Sequence, residues 1–472
     1  MQRPKPVFVV PTYRLRDVGE TIEAYDSHFR KNGHAIDLVV FDDSSIVNQE
    51  KYYPLLENTA TWNPLYYVGP QQKEQMLALL FDRLRDRRLE PLIRTIFRPS
   101  YGGNRNCTLI HTLGDIVISA DDDMRPFALI EDSPETLEEG MVCRGRLKRS
   151  GENGYTRKSF DILTAFTDVL GKPVGEVPPN HDIGEWLVDS AMDLETNASR
   201  GLQRENTLQL RAGSVPADAI VKMAQTYRSG TNDIDALDFV DMYLDNDEQV
   251  VLEELNEHYV LENFRPVVTK CNWRMDCGVA GYDNTLGLPP FFPTRLRFED
   301  YIYRLWIQQD GVASAHVDAA QNHIKNNYMR DPLPAEIFNE EVANLLKHKI
   351  RASLSSIGPL SIGFDYAGEI AAEDSQGILD RVRSLHARVL DAQRKAEGAR
   401  RESLMMFAAS LERTFFGFDA DFFQQKLIYQ VDEVIGQFKG ALEIWPTLVE
   451  ICYLRKHRAE LPRVRVQNRR RP

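Results

Sequence analysis

An α/β fold with a mostly parallel sheet, followed by an α-helical domain, is what this 472-residue sequence predicts. Three observations predict it. Short continuous apolar runs (Val7 to Val10, Leu38 to Phe41, Ile116 to Ala120) alternate with helical stripes along the front of the chain. Each run ends in a polar cluster, and in an open α/β sheet such clusters fall at the carboxyl edge, where ligands bind. After Pro332 the apolar stripes recur at helical spacing with no strands between them.

The first strand is Val7-Phe8-Val9-Val10, closed by Pro11-Thr12-Tyr13; an unbroken apolar run suits a strand buried on both faces. Val18, Ile22, Tyr25 and Phe29 then share one helix face, and Lys31-Asn32-Gly33 ends that helix with glycine. Leu38 to Phe41 is the second strand, with Asp42-Asp43-Ser44-Ser45 at its tip. A third strand is expected from Leu92 to Phe97, before Pro99-Ser100-Tyr101-Gly102-Gly103. The two glycines there suit close approach of backbone to a ligand. A helix starts near Asn104, packs through Leu109, Ile110 and Leu113, and stops at Gly114. Ile116 to Ala120 is the next strand, and Asp121-Asp122-Asp123 closes it.

Three adjacent carboxylates are costly inside a sheet, so they belong where the strand emerges. A divalent cation or sugar hydroxyls would relieve their repulsion, and hard oxygen ligands suit Mg²⁺ or Mn²⁺. A solvated acidic turn is the plain alternative.

Residues from about 166 to 264 read as a helical insertion over the carboxyl edge, on the spacing of Ile220, Met223, Ala224 and Tyr227. Trp273 suits a sugar-stacking floor or the core. Arg297-Phe298-Glu299-Asp300-Tyr301 opens a helix, where acids also suit the helix dipole. Gly311 to Val317 and Ala319 to His323 read as strand, turn, strand. Three helical stripes follow: Ile337, Phe338, Val342, Leu345 and Leu346; Ile378, Val382, Leu385 and Val389; and Leu427, Val431, Val434 and Phe438. Asp380 to Arg401 is charge-dense and reads as a long solvated helix. The expected domains are 1–330, 331–454, and a disordered tail at 455–472 carrying eight Lys/Arg residues and one Glu.

Bulk composition excludes several classes. A net charge of −13 argues against broad nucleic-acid contact. No apolar stretch reaches the length of a membrane span, and Met1 to Tyr13 lacks a signal-peptide core, so the cytoplasm is the expected location. Five scattered cysteines make no disulfide framework or zinc knuckle.

Pro11-Thr12-Tyr13, Val40 to Ser45, Gly103-Asn104-Arg105-Asn106 and Gly114 to Asp123 together resemble the nucleotide-binding half of a family 2, GT-A-fold (Rossmann-like) glycosyltransferase. The resemblance implies that Pro11, Thr12 and Tyr13 flank the nucleoside of a nucleotide-diphosphate sugar. It implies that Asp43 accepts a hydrogen bond from the base and that Arg105 faces the phosphates. Where the family writes Asp-x-Asp-Asp, Ala120 takes the first position. Either Asp122 or Asp123 then binds metal with Asp121 on a ribose or sugar hydroxyl, or Asp121 and Asp123 form the DxD pair. Asp300, beside Glu299, resembles the general base of inverting members, and His323, more than His316, fits the place of a histidine that reaches the metal. The implied activity is Mn²⁺- or Mg²⁺-dependent transfer from a UDP- or GDP-sugar to an acceptor hydroxyl, with inversion. The acceptor is a small molecule, a glycan, a protein or a modified nucleic-acid base. The helical C-terminal domain is available for acceptor binding, a partner or homo-oligomer formation. A nucleotidyltransferase and a non-catalytic nucleotide-sugar binding module are the alternatives.

Overall fold

A computed structural model describes residues 4–44, 46–84, 86–131, 142–145, 147–149, 155–159, 161–177, 185–189, 206–213, 218–227, 236–245, 259–261, 268–269, 278–293, 299–300, 303, 313–323, 337–340, 343, 372–416, 420–457 and 459–468. The front half contains β1 (Pro6–Thr12), α1 (Leu15–Lys31), β2 (Asp37–Asp42), α2 (Ile46–Asn58), β3 (Leu65–Val68), α3 (Pro70–Leu84), α4 (Glu90–Ile96), α5 (Tyr101–His111), β4 (Ile116–Ala120) and β5 (Met124–Glu131). The middle holds β6 (Val142–Gly145), β7 (Leu147–Arg149), β8 (Tyr155–Ser159), α6 (Ile162–Thr167), β9 (Glu185–Asp189), β10 (Asn206–Gly213), β11 (Val221–Tyr227), α7 (Ala236–Asp245), β12 (Tyr259–Leu261) and β13 (Val268–Thr269). The rest contributes β14 (Val279–Asp283), β15 (Ala313–His323), α8 (Ala372–Lys395), α9 (Gly398–Phe416), α10 (Ala420–His457) and β16 (Val464–Arg465).

The main sheet runs β16-β3-β2-β1-β4-β14-β11-β15-β5-β8, with β13 added on β15. β3, β2, β1 and β4 are parallel, whereas β14, β5, β8 and β16 join antiparallel, so the sheet is mixed rather than mostly parallel. The parallel block sends Thr12, Asp42 and Ala120 to one edge. β11 and β15 are parallel to each other, and β15 ends at the same edge, where His323 pairs with Met124.

Successive residues of β1 feed opposite faces, as the pleat requires. Val7 and Val9 pack with α3, α4, α5 and α10, while Phe8 and Val10 pack with α1, α2 and α6. Val18, Ile22, Tyr25 and Phe29 of α1 are all fully buried. A third cluster joins α7, α8 and α9 through Leu237, Val240, Tyr243, Val382, Leu385, Val389 and Phe407.

Several expectations are corrected. Leu92 to Phe97 is mostly α4, not a strand. Ile93 and Ile96 bury one helical face, and Pro91 sits in the first turn, where its missing N–H costs nothing. The third strand is instead β3, between Asn63-Pro64 and Gly69-Pro70. Met223, Ala224 and Tyr227 lie in strand β11, not in a helix. Val221 and Ala224 enter one core and Met223 the other, and such two-sided burial erases the period-two signal. The described part of 166–264 therefore holds strands β9, β10, β11 and β12 beside the helix α7, with β9 and β10 joining β6 in a small separate sheet. β15 is one strand with a register irregularity near Val317, rather than strand, turn, strand.

The helical C-terminal segment is not a detached domain. Trp445 of α10 donates from Nε1 to Leu288 O at 2.7 Å, Phe438 stacks on Phe292 at 3.5 Å, and Leu448 and Cys452 are buried against the sheet. α8 is solvated on one side only, and the run 380–401 breaks at Gly398, whose φ is +56°. Val342, Leu345, Leu346 and the Cys271 to Cys277 stretch lie outside the described residues. The described part of the expected disordered tail (455–457 and 459–468) is ordered: β16 pairs with β3, Val466 is buried, and Lys456 bonds Asp115 and Leu113 O.

Candidate active site at the carboxyl edge

The triplet forms a tight turn between β4 and β5, with Asp121 N donating to Gly278 O at 2.9 Å and Met124 N to Asp121 O at 3.1 Å. Its carboxylates split between two cations, Asp121 toward Arg105 and the other two toward Arg14. Asp121 is 38% exposed at its side chain and meets Arg105 Nη2 at 3.3 Å. Asp122 turns inward to 3% exposure, accepting from Thr12 Oγ1 at 2.5 Å and from Arg14 Nη2 at 2.5 Å. Asp123 accepts from the same Arg14 nitrogen at 2.7 Å. Both Asp122 oxygens are thus engaged by β1 and the residue that precedes α1. Its backbone carbonyl is taken by the Thr21 hydroxyl, which Arg125 also contacts.

Thr12 is buried and internal too. Its hydroxyl meets Asp122, Tyr52 and the Arg14 backbone N–H, so it shapes the turn rather than presenting to a nucleoside. Tyr13, at 54% exposure, stands on the rim edge-to-face with Tyr101 at 6.4 Å, and Pro11 is partly buried behind it.

At the β2 tip, Asp42 is fully buried and accepts from Tyr67 Oη, Ser44 N and Ser44 Oγ. Asp43 forms a buried pair with Lys73 Nζ at 2.6 Å, and Lys73 also donates to Asn104 Oδ1 at 2.9 Å. Burial raises the Asp43 carboxyl, and Lys73 opposes that rise. Asn104 in turn holds Phe41 O through Nδ2 at 3.0 Å, tying α5 to β2.

Arg105 joins distant parts of the chain. Its Nε donates to Glu299 Oε1 at 2.9 Å while Nη2 reaches Asp121, with the guanidinium only 11% exposed. The neighbouring Asn106 is fully buried. Its Oδ1 accepts from Phe291 N at 2.7 Å, and its Nδ2 donates to Phe291 O and Ile96 O. Phe291 stacks on Tyr303 at 3.7 Å, one helical turn past Glu299. Glu299 and Asp300 are both helical, Glu299 buried and Asp300 half-buried. One dipeptide of α5 therefore holds Glu299 near Asp121 and anchors Phe291.

Gly103 serves the turn rather than a ligand. A Cβ there would lie 2.0 Å from Arg98 O, so only glycine lets Ser100 cap α5 through its hydroxyl.

Burial and the neighbouring Asp123, Asp122 and Glu299 charges raise the Asp121 carboxyl well above the usual range, with Arg105 opposing them. Four carboxyl groups (Asp121, Asp122, Asp123, Glu299) face two guanidiniums (Arg14, Arg105), so acids outnumber cations at this edge. Among the described residues no three His, Cys, Asp or Glu side chains converge as a ready cage. The all-oxygen set with Asp121 reachable from solvent nevertheless fits a divalent cation held by one or two carboxylates and completed by substrate phosphates. The backbone of His323, paired with Met124, lies at this end of the sheet.

Sequence reasoning missed Arg14 and Lys73. Arg14 is the residue just before α1 and Lys73 lies in the first turn of α3; a cation within a turn or so of a strand's carboxyl end was the available signal.

No family model matches the sequence, and no curated protein matches it. Among solved structures, the chain is similar to the mannosyltransferase PcManGT from Pyrobaculum calidifontis in complex with GDP-Man and Mn²⁺. The identity is 11%, covering 97% of this chain and 88% of that chain, with a TM-score of 0.30, too low to fix a fold or a role.

Proposed function

We propose that the protein is a glycosyltransferase that moves a sugar from a nucleotide-diphosphate donor to an acceptor hydroxyl. One observation carries the reading: Arg105 links Asp121 to Glu299, so two acidic motifs far apart in sequence share one edge of the sheet. A donor's diphosphate needs positive charge and an acceptor hydroxyl needs a base; Arg105 offers the first, and the Glu299-Asp300 pair, whose Glu299 it contacts, offers the second. A divalent cation, when bound by Asp121 and Asp123, supplies charge compensation for the departing diphosphate.

The chain's own residues divide the remaining work. Asp300 is the general base, being the more exposed of the acidic pair, and Glu299 orients Arg105. Arg105 stands against the diphosphate, its fork shared between two carboxylates. Asp43, paired with Lys73, accepts from a base carrying a ring N–H, which favours UDP or GDP donors. Tyr13 and Tyr101 line the rim where a flat ring would lie. Transfer proceeds with inversion, because a base and one acceptor displace the nucleotide in a single step.

Turnover of UDP- and GDP-sugars, with product analysis, tests this. Release of UDP or GDP in a Mn²⁺- or Mg²⁺-dependent manner supports the reading. Release of pyrophosphate from a sugar phosphate and nucleoside triphosphate makes it a nucleotidyltransferase, and nucleotide binding without turnover makes it a binding module.

A further inference from the structure

Arg14 has no place in the scheme so far, yet it touches the triplet more closely than any other cation described. It is the residue before α1, and its backbone N–H donates to Thr12 Oγ1 at 3.1 Å, which fixes the turn. Its Nη2 lies 2.5 Å from Asp122 Oδ1 and 2.7 Å from Asp123 Oδ2. A single nitrogen thus bridges two carboxylates that stand on adjacent residues. The side chain remains 40% exposed, whereas Asp122 and Asp123 are 3% and 12% exposed. The cation therefore closes the two acids off from the rim and can itself withdraw into solvent, its ring neighbour Tyr13 lying 5.6 Å away on that side.

We infer that Arg14 is a built-in counter-ion, which holds Asp123 closed in the ligand-free protein and must be displaced before a divalent cation can bind there. The inference rests on the donor-dependent reading only in supposing that a cation enters this edge. Arg14 Nη2 occupies Asp123 Oδ2 itself, so guanidinium and divalent ion compete for that oxygen. Asp122 keeps its bond from Thr12 when Arg14 leaves, so the turn survives the exchange.

The test is Mn²⁺ binding without nucleotide, followed by calorimetry and by the Mn²⁺ paramagnetic signal. Arg14→Ala and Arg14→Gln are expected to bind Mn²⁺ at least about tenfold more tightly than wild type, the scale of one charge-assisted pair. Arg14→Lys keeps the charge and is expected to stay near wild type. Equal or weaker Mn²⁺ binding by both neutral variants, with wild-type circular dichroism, overturns the inference. Wild-type crystals soaked in Mn²⁺ give an answer independent of folding. An ion on Asp123 with Arg14 turned away supports it, while an ion with both Arg14 contacts intact, or no ion at this edge, overturns it. Tight Mn²⁺ binding by the neutral variants without any turnover of nucleotide sugars would leave this inference standing and remove the transferase reading.

Discussion

Arg105 is the residue on which the candidate site is strung. Its guanidinium balances Asp121 and Glu299, and each partner lies on a different segment, so removing it strands two buried or half-buried acids. Arg105→Ala is expected to cut turnover by at least about 100-fold, as loss of a preorganised charge contact does, and to lower the melting temperature. Arg105→Lys should recover stability more than rate, since an ammonium cannot serve both carboxylates in one plane. Steady-state kinetics with thermal melts separates the two. Asp300→Asn keeps size and polarity but cannot take a proton. Donor affinity measured by calorimetry should stay within about threefold, while kcat falls by about 100-fold or more. A near wild-type kcat would remove Asp300 as base. Asp122→Ala belongs to stability: it takes the carboxylate from Thr12 and leaves Arg14 with Asp123 alone, a loss of about 1–3 kcal/mol in urea unfolding.

At the scale of elements, α5 ties the sheet to the site, and its ends are set by chemistry readable one residue at a time. Gly103→Ala must push its Cβ into Arg98 O, so about 1–3 kcal/mol of stability should go, with the Ser100 cap lost. At the other end His111 is buried with Nδ1 2.9 Å from Cys107 O and Nε2 3.2 Å from Pro462 O. Burial pushes its pKa down to about 4. The folded value lies below the ordinary value near 6.5, so His111 contributes stability that is present above about pH 6.5 and lost as pH falls toward 4. The loss amounts to about 3 kcal/mol. Urea unfolding at pH 7 and pH 5 should therefore show a smaller pH effect in His111→Gln than in wild type. The strands and helices legible in sequence were those with a simple period: β1, β2, β4 and α1 each showed a one-sided or unbroken apolar pattern. α4 was misread because Leu92, Ile93, Ile96 and Phe97 crowd into six residues, and β11 because it is buried on both faces.

For the whole molecule, the unexpected feature is how the far end of the chain completes the near end. α10 covers the face of the sheet opposite α1, with Trp445 wedged between Phe97 and Leu288 O. Trp445→Ala should cost about 3–5 kcal/mol in equilibrium unfolding, as large-to-small core changes do, and should loosen α4 with it. A purely local loss, with α4 exchange protection unchanged, would argue that the helix is a separate unit after all. None of this was legible in the sequence, because a helical stripe states that a face is buried and never against what. The acidic triplet and the Glu-Asp pair were legible as chemistry. Their meeting was not, since it depends on Arg105 and on the Asn106 clamp to Phe291.

β16 lies antiparallel on β3 and covers an otherwise open row of peptide groups. During synthesis that row is made some four hundred residues before its cover. A ribosome-bound chain with β3 already folded therefore exposes a sticky border until residues 464–465 leave the exit tunnel, and a bare strand edge is where another chain can pair.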